Sequence, residues 1–194
     1  MAKKLIAALT DSTVFLREWF ANPQHTGSVT PSSPQLARAM ARWLPRDSDS
    51  FVLELGPGTG AVTEALFKRG LREDRLVAIE KNECLAKHLR KRFPRAHIIT
   101  GDAWRLDELL LEHPEMIQSV GAVISSLPLL NFPKEQAEAL AQKIRGVLEP
   151  RGRWVQYSYQ IGKNRSRGAD DFRLLASKII WWNLPPARVH VFQK

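Results

Sequence analysis

Residues 51–60, Phe51-Val-Leu-Glu-Leu-Gly-Pro-Gly-Thr-Gly60, set an acid, Glu54, two positions ahead of three alternating glycines. Glycine accepts positive φ and lets backbone approach a ligand closely. A helix opening at Ala61 would point free N–H groups into the same space. Such a turn makes a small-ligand site at the carboxyl end of the first strand of an α/β sheet. Three later positions carry matching chemistry. Glu80 closes an apolar strand 20 residues after Gly60, where an acid can accept bonds from both hydroxyls of a ribose. Gly101-Asp102-Ala103 offers a carboxylate to an adenine amine. Ser125-Ser-Leu-Pro128 ends a fourth strand, where a substrate would meet a cofactor. The glycine spacing narrows the ligand. Dinucleotide sites use Gly-x-Gly-x-x-Gly, whereas this turn is Gly-x-Gly-x-Gly behind an acid. That acid would repel a pyrophosphate and suits a cationic amino-acid ligand.

These residues need an alternating scaffold, and the chain has one from residue 51 onward. Strands are expected at 51–55, 75–80, 96–99, 120–124, 153–159 and 187–192. Helices are expected near 60–70, 82–92, 104–113 and 134–148. The alternation predicts a mostly parallel sheet with helices on both faces. A turn at Glu149-Pro-Arg-Gly152 precedes the fifth strand, and a basic loop at 160–171 and an apolar segment at 172–184 precede the last. Residues 1–45 differ. An amphipathic helix is expected over 3–20, with Leu5, Leu9, Leu16 and Phe20 near one face, and Asn22-Pro23 ends it. A second helix starts at Ser33-Pro34, an N-cap followed by proline, and stops at Pro45. The expected organisation is a helical extension over 1–45 and a sheet domain over 46–194.

The 194 residues suffice for one domain with a full core. No apolar run approaches the ~18 residues of a membrane span, and no secretory signal is evident, so a cytoplasmic location is expected. A single cysteine, Cys84, excludes an intramolecular disulfide and a cysteine-based zinc site. Lys and Arg number 29 against 20 acids, a net charge of +9. That excess favours a polyanionic partner, either nucleic acid or an anionic membrane surface. It concentrates at Lys87, Arg90, Lys91, Arg92 and Arg95, and again at Lys163, Arg165 and Arg167.

The three cofactor-side motifs, in this order and spacing, resemble the S-adenosylmethionine-dependent methyltransferases of the Rossmann-like class. The resemblance implies a seven-stranded sheet and S-adenosylmethionine as cofactor. Glu54, Leu55, Gly56, Pro57, Gly58, Gly60 and Thr63 would surround the methionine part. Glu80 and Lys81 would stand at the ribose, Gly101, Asp102 and Ala103 at the adenine, and Ser125 at the fourth strand end. Phe15-Leu-Arg-Glu-Trp19, the glycine run, Ile124-Ser-Ser-Leu-Pro-Leu-Leu-Asn-Phe-Pro133, Val155-Gln-Tyr-Ser-Tyr159 and Asn183-Leu-Pro-Pro-Ala-Arg188 narrow it. Together they resemble the small bacterial phospholipid N-methyltransferases, which methylate phosphatidylethanolamine and, in some members, continue to phosphatidylcholine. Two departures are Tyr157, where an aliphatic residue is expected, and the strongly basic loop Lys163-Asn-Arg-Ser-Arg167.

The acceptor follows from the fourth motif. Adenine and cytosine amine methylases carry Asn/Asp/Ser-Pro-Pro-aromatic, and ribosomal RNA dimethylases Asn-Leu-Pro-aromatic, the aromatic stacking on the base. Here the run is Ser126-Leu127-Pro128-Leu129, more apolar than base recognition favours, with Phe132 three residues late. By resemblance Ser126 stands where a polar residue holds the amine, and Leu127, Pro128, Leu129, Tyr157 and Arg188 line the substrate. Tyr159, near the end of a central strand, is the expected aromatic wall for a cationic product, and Tyr157 shares its face by strand period. No secure general base emerges; His25, His88, His97, His113 and His190 all lie away from the motifs. The helix over 3–20 caps the cofactor pocket, lies on the membrane with Phe15, Trp19 and Phe20 inserted and Lys3, Lys4 and Arg17 on phosphates, or does both. Trp181 and Trp182 are a second potential interfacial contact. The expectation is a peripheral enzyme at the inner face of the cell membrane, acting on a phospholipid, with nucleic acid not the partner. The rival is a ribosomal RNA adenine dimethylase-like enzyme, favoured by charge and fold. Oligomeric state stays open.

Overall fold

Three strands, β1 (Phe51–Leu55), β2 (Leu76–Glu80) and β4 (Val120–Ser125), are buried along their whole length. Near-continuous apolar runs of this kind demand cover on both faces of a parallel sheet. The computed structural model describes residues 32–45, 49–114, 120–160 and 167–194. The expected helix over 3–20, with Lys3, Lys4, Phe15, Arg17, Trp19 and Phe20, lies outside the described residues, as do residues 161–166 of the basic loop.

Seven strands form one sheet in the order β3-β2-β1-β4-β5-β7-β6. The remaining strands are β3 (His97–Thr100), β5 (Leu148–Ser158), β6 (Arg173–Ile180) and β7 (Ala187–Gln193). β1 to β5 run parallel, and β7 lies antiparallel between β5 and β6. This is the Rossmann-like, mostly parallel seven-stranded architecture. Its strand order reverses between β1 and β4, which opens a ligand crevice beyond their carboxyl ends.

Helix starts follow local chemistry. α1 (Pro34–Ala41) begins where the Ser33 side chain accepts the Leu36 N–H at 3.2 Å. α2 (Ala61–Lys68) has left-handed Gly60 at its N-cap. α3 (Glu83–Arg92) is capped by Asn82, whose Oδ1 accepts the N–H groups of Cys84 and Leu85. Arg90, Lys91 and Arg92 in its last turn complement the helix dipole. α4 (Leu106–Leu111) follows a 3-10 turn at Ala103–Arg105, and α5 (Lys134–Val147) leads directly into β5. Leu106, Leu110, Leu140 and Ile144 from α4 and α5 form one core with Leu53, Leu55, Ile79, Trp154 and Phe192.

Three features differ from the sequence expectation. The apolar segment at 172–184 contains strand β6, which closes the sheet edge; its mixed burial gives no clean period to read. The turn at 149–152 lies inside β5: Val120 pairs with Leu148 while Ala122 pairs with Arg153, and Arg151 takes φ 66°. α1, assigned above to the extension, contacts β5, β6 and β7 within the compact unit Ser32–Lys194. Three cations of the basic cluster around the end of α3 are engaged locally. Arg90 donates to Ile98 O and Thr100 Oγ1, Arg92 pairs with Glu64, and Arg95 pairs with Glu73.

Candidate active site

The glycine turn is fixed by backbone and by one carboxylate. Gly56 (φ 69°) extends the β1–β2 ladder through its N–H to Ile79 O at 2.9 Å. Gly58 N–H donates to Glu80 Oε2 at 2.9 Å, and Asn82 N–H to Glu80 Oε1 at 2.9 Å. Glu80 therefore spans the gap between the ends of β1 and β2 and holds both following turns. A carboxylate offers about four acceptor sites, so capacity remains for a pair of ligand hydroxyls. Pro57 is buried and its carbonyl accepts Gly60 N–H. Arg92 Nη1, reaching across from α3, donates to Thr59 O at 3.1 Å. This support for the turn has no local sequence signal.

The glycines have different jobs. A Cβ on Gly58 would meet nothing within 4 Å, so this position leaves backbone open to a ligand. A Cβ on Gly60 would strike Leu89 and Phe93 at 2.8 and 3.0 Å. Gly60 thus permits close packing of Leu89 from α3 and of Phe93 after it. A Cβ on Gly56 would meet Leu127 Cδ2 at 3.0 Å, so the cofactor turn and the loop after β4 touch here.

Glu54 is completely buried. Its Oε2 accepts the Thr63 hydroxyl at 2.7 Å, and its Oε1 has no hydrogen-bond partner among the described residues. Burial pushes its carboxyl up to about 8, with the Thr63 hydrogen bond opposing and the Glu80 charge adding. Thr63, also fully buried, positions Glu54 through this bond. Glu54 is thus neutral in the empty site near pH 7, and a cation bound at the adjoining open glycine turn would favour its ionised form. Asp102 Oδ1 caps the 3-10 turn by accepting Trp104 N–H, and Oδ2 pairs with Lys81 at 2.7 Å. Lys81 is largely exposed, so this pair yields easily to a ligand. Gly101 N–H continues the ladder to Glu80 O, while Ala103 is buried in the core. The open turn, the spare acceptor capacity of Glu80 and the orphaned Glu54 oxygen fit a cationic ligand bearing a ribose.

The loop after β4 is built from distant parts of the chain. Ser126 N–H donates to Leu55 O at 2.9 Å, and Ser126 Oγ is buried with no hydrogen-bond partner among the described residues. Ser125, fully buried, uses its hydroxyl to receive Leu127 N–H at 3.4 Å. Leu127 O accepts Gln156 Nε2 at 2.8 Å, and the same amide nitrogen donates to Tyr157 O at 2.8 Å. Gln156 was missed in the sequence; its signal was one amide inside the apolar run Trp154-Val-Gln-Tyr157. Leu127 and Pro128 are half-buried at the crevice. Leu129, expected at the substrate, lies in the core because it heads the 3-10 turn Leu129–Asn131 that folds inward. Phe132 packs edge-on against Trp104 at 4.9 Å, which occupies the ring that could have stacked on a base.

The two tyrosines separate by burial. Tyr157 is buried, its ring edge-to-face with Tyr159 at 5.4 Å and its hydroxyl hydrogen-bonded to Tyr159 and Ser32. It therefore backs the wall, and half-buried Tyr159 presents it. Burial raises the phenol of Tyr159 above its ordinary value, so it stays neutral. Asn183 completes the cluster. It hydrogen-bonds Tyr159, accepts Ser33 N–H at 3.1 Å and donates to Pro185 O at 2.6 Å. Arg188 pairs across from Ser158 and so points to the sheet face opposite Tyr157, donating to Ser177 Oγ at 3.0 Å. His190 is buried and stacked on Phe192.

A family model described as methyltransferase domain matches residues 52–152. An ornithine lipid N-methyltransferase from Singulisphaera acidiphila is 33% identical over 151 residues, which cover 76% of this chain and 78% of that protein. A ribosomal RNA small subunit methyltransferase A from Synechococcus sp. is 43% identical over 96 residues, covering 47% of this chain but 31% of that protein. Among solved structures, a TehB-like SAM-dependent methyltransferase from Corynebacterium glutamicum superposes with a TM-score of 0.60 at 18% identity, over 95% of this chain and 98% of that one. TrmN from Thermus thermophilus gives 0.61 at 21% identity, over 83% and 48%.

Proposed function

We propose a lipid amine as the methyl acceptor, on the premise that this chain belongs to the S-adenosylmethionine-dependent methyltransferases. The acceptor is the primary amine of phosphatidylethanolamine, carried on to its mono- and dimethylated forms. The observation that carries this reading is the makeup of the acceptor wall. Leu127, Pro128 and Tyr159 surround the crevice, and the one ring near a base-stacking position, Phe132, is packed on Trp104.

When bound, S-adenosylmethionine supplies an electrophilic methyl group; the residues supply placement. Positioning is worth much of the rate in such a displacement. The remaining acceptor capacity of Glu80 and the open backbone at Gly58 hold the cofactor end, and Glu54, ionised beside it, favours its positive charge. Ser126 Oγ, buried and unsatisfied, accepts one N–H of the acceptor amine and aims the lone pair. The amine must arrive neutral, and apolar surroundings lower its pKa from about 10, the value of a free alkyl amine. The face of Tyr159 then holds the increasingly cationic product.

The named lipid relative supports a second acceptor of the same chemistry, the amine of an ornithine lipid. Thin-layer separation after incubation with labelled cofactor and vesicles of either lipid distinguishes the two. Label in phosphatidylethanolamine derivatives supports the first reading, and label only in ornithine lipid replaces it with the second. Label in neither, with cofactor bound, rejects both.

A further inference from the structure

Among the described residues the exposed large hydrophobic side chains are Leu111, Leu174, Trp181, Trp182 and Leu184. Three of them form one tip, the turn between β6 and β7, with Trp181 63%, Trp182 84% and Leu184 87% exposed. Clustered indoles in water need an explanation, since contiguous exposed apolar surface marks an interaction site.

The charge pattern identifies the partner. Residues 172–194 contain Arg173, Lys178, Arg188 and Lys194 and no Asp or Glu. The stretch from Ile179 to Ala187 is uncharged and bracketed by Lys178 and Arg188. These two cations sit at the base of the tip, where Ile179 pairs with Arg188 and Lys178 with Val189. Tryptophan settles at the level of lipid headgroups, and cations beside it are attracted to anionic lipid. A second copy of the chain is a poorer occupant. β6 is the sheet edge, and pairing two such edges would bring Arg173 and Lys178 against their own kind.

The tip is also fastened to the candidate site. Asn183, buried between the exposed residues, bonds Ser33 N–H on one side and Tyr159 on the other. One side chain thus ties the exposed tryptophans to the acceptor wall.

We infer that the β6–β7 tip, Trp181, Trp182 and Leu184 above Lys178 and Arg188, docks on the anionic face of a lipid bilayer and seats Tyr159 at the headgroups. The inference rests on the lipid amine reading, and the experiment separates the two. The full chain and its Trp181→Ala/Trp182→Ala variant are sedimented with vesicles of phosphatidylcholine and phosphatidylglycerol, and tryptophan quenching by brominated lipid is followed in parallel. Both side chains project into solvent, so an unchanged melting temperature is expected. The expected result is about a tenfold loss of partitioning or loss of most of the quenching. Methylation of dispersed short-chain phosphatidylethanolamine stays at the wild-type rate while methylation in vesicles falls. Partitioning and quenching both unchanged overturn the inference. A change in molecular mass on light scattering with both unchanged assigns the tip to self-association and also overturns it. Docking that depends on the tryptophans, with no lipid labelled by the wild type, supports the tip and rejects only the acceptor reading.

Discussion

The two halves of the crevice are built differently. Beyond β1, β2 and β3 the cofactor half consists of short local turns. Each strand end carries its own acid or glycine, and Glu80 ties neighbouring turns through two backbone N–H groups. Beyond β4 and β5 the acceptor half depends on side chains from remote segments. Gln156 holds Leu127, Asn183 joins Ser33 to Tyr159, and Ser32 reaches Tyr157. The cofactor half also holds an electrostatic cost, the buried carboxyl of Glu54, with no counterpart in the acceptor half. Local construction suits a ligand shared by many enzymes; remote construction lets the acceptor change with register and loop length.

The largest expected effect concerns Glu54. Its folded pKa of about 8 stands well above its ordinary value of 4.5. Its contribution to stability is therefore fully present below about pH 4.5 and is lost as pH rises toward 8, where the unfolded chain has ionised and the folded one has not. The cofactor-free protein should lose stability across that window, relative to Glu54→Gln, by up to about 1.4 kcal/mol per pH unit. Denaturant titrations from pH 5 to 8 measure the difference, and parallel curves for the two proteins would show that Glu54 ionises freely.

Next in size is Glu80→Ala. Losing hydrogen bonds to a charged acceptor costs ~1.5–3 kcal/mol, so cofactor affinity should fall about 10- to 100-fold in calorimetry. Wild-type affinity would remove Glu80 from the site. Gln156→Met keeps the volume and removes the donor to Leu127. It should lower kcat about tenfold, roughly one hydrogen bond's worth, with cofactor affinity unchanged. If affinity falls as well, the two halves are not separable. The smallest effect is expected at Tyr159. Replacement by Leu should lower kcat about threefold, the low end of a cation–π contact to the amine as it becomes cationic, and Phe should recover most of it.

The same contrast explains what the sequence disclosed. Strands β1 to β4, α3, and Glu80 beside the glycine turn follow from local composition and period. β6 was hidden because an edge strand with both faces partly wet has no alternating pattern. The burial of Leu129 depends on a 3-10 turn that follows Pro128, and Gly60 is required by α3, which begins 23 residues later. Tyr157 and Tyr159 share a face by period, yet in the fold one ring is buried, its hydroxyl bonded to Ser32, and the other is half-exposed. Gln156 reads as an ordinary polar interruption until the fold brings Leu127 O within 2.8 Å of its amide.

A lipid amine and an RNA base are set against each other as acceptors by competition in one vessel. The protein is incubated with methyl-labelled S-adenosylmethionine, phosphatidylethanolamine-containing vesicles and total ribosomal RNA, and the organic and aqueous phases are separated. Label is expected in the organic phase, increasing with time and strongly reduced by Glu80→Ala at limiting cofactor. Label in the RNA with none in lipid would contradict it.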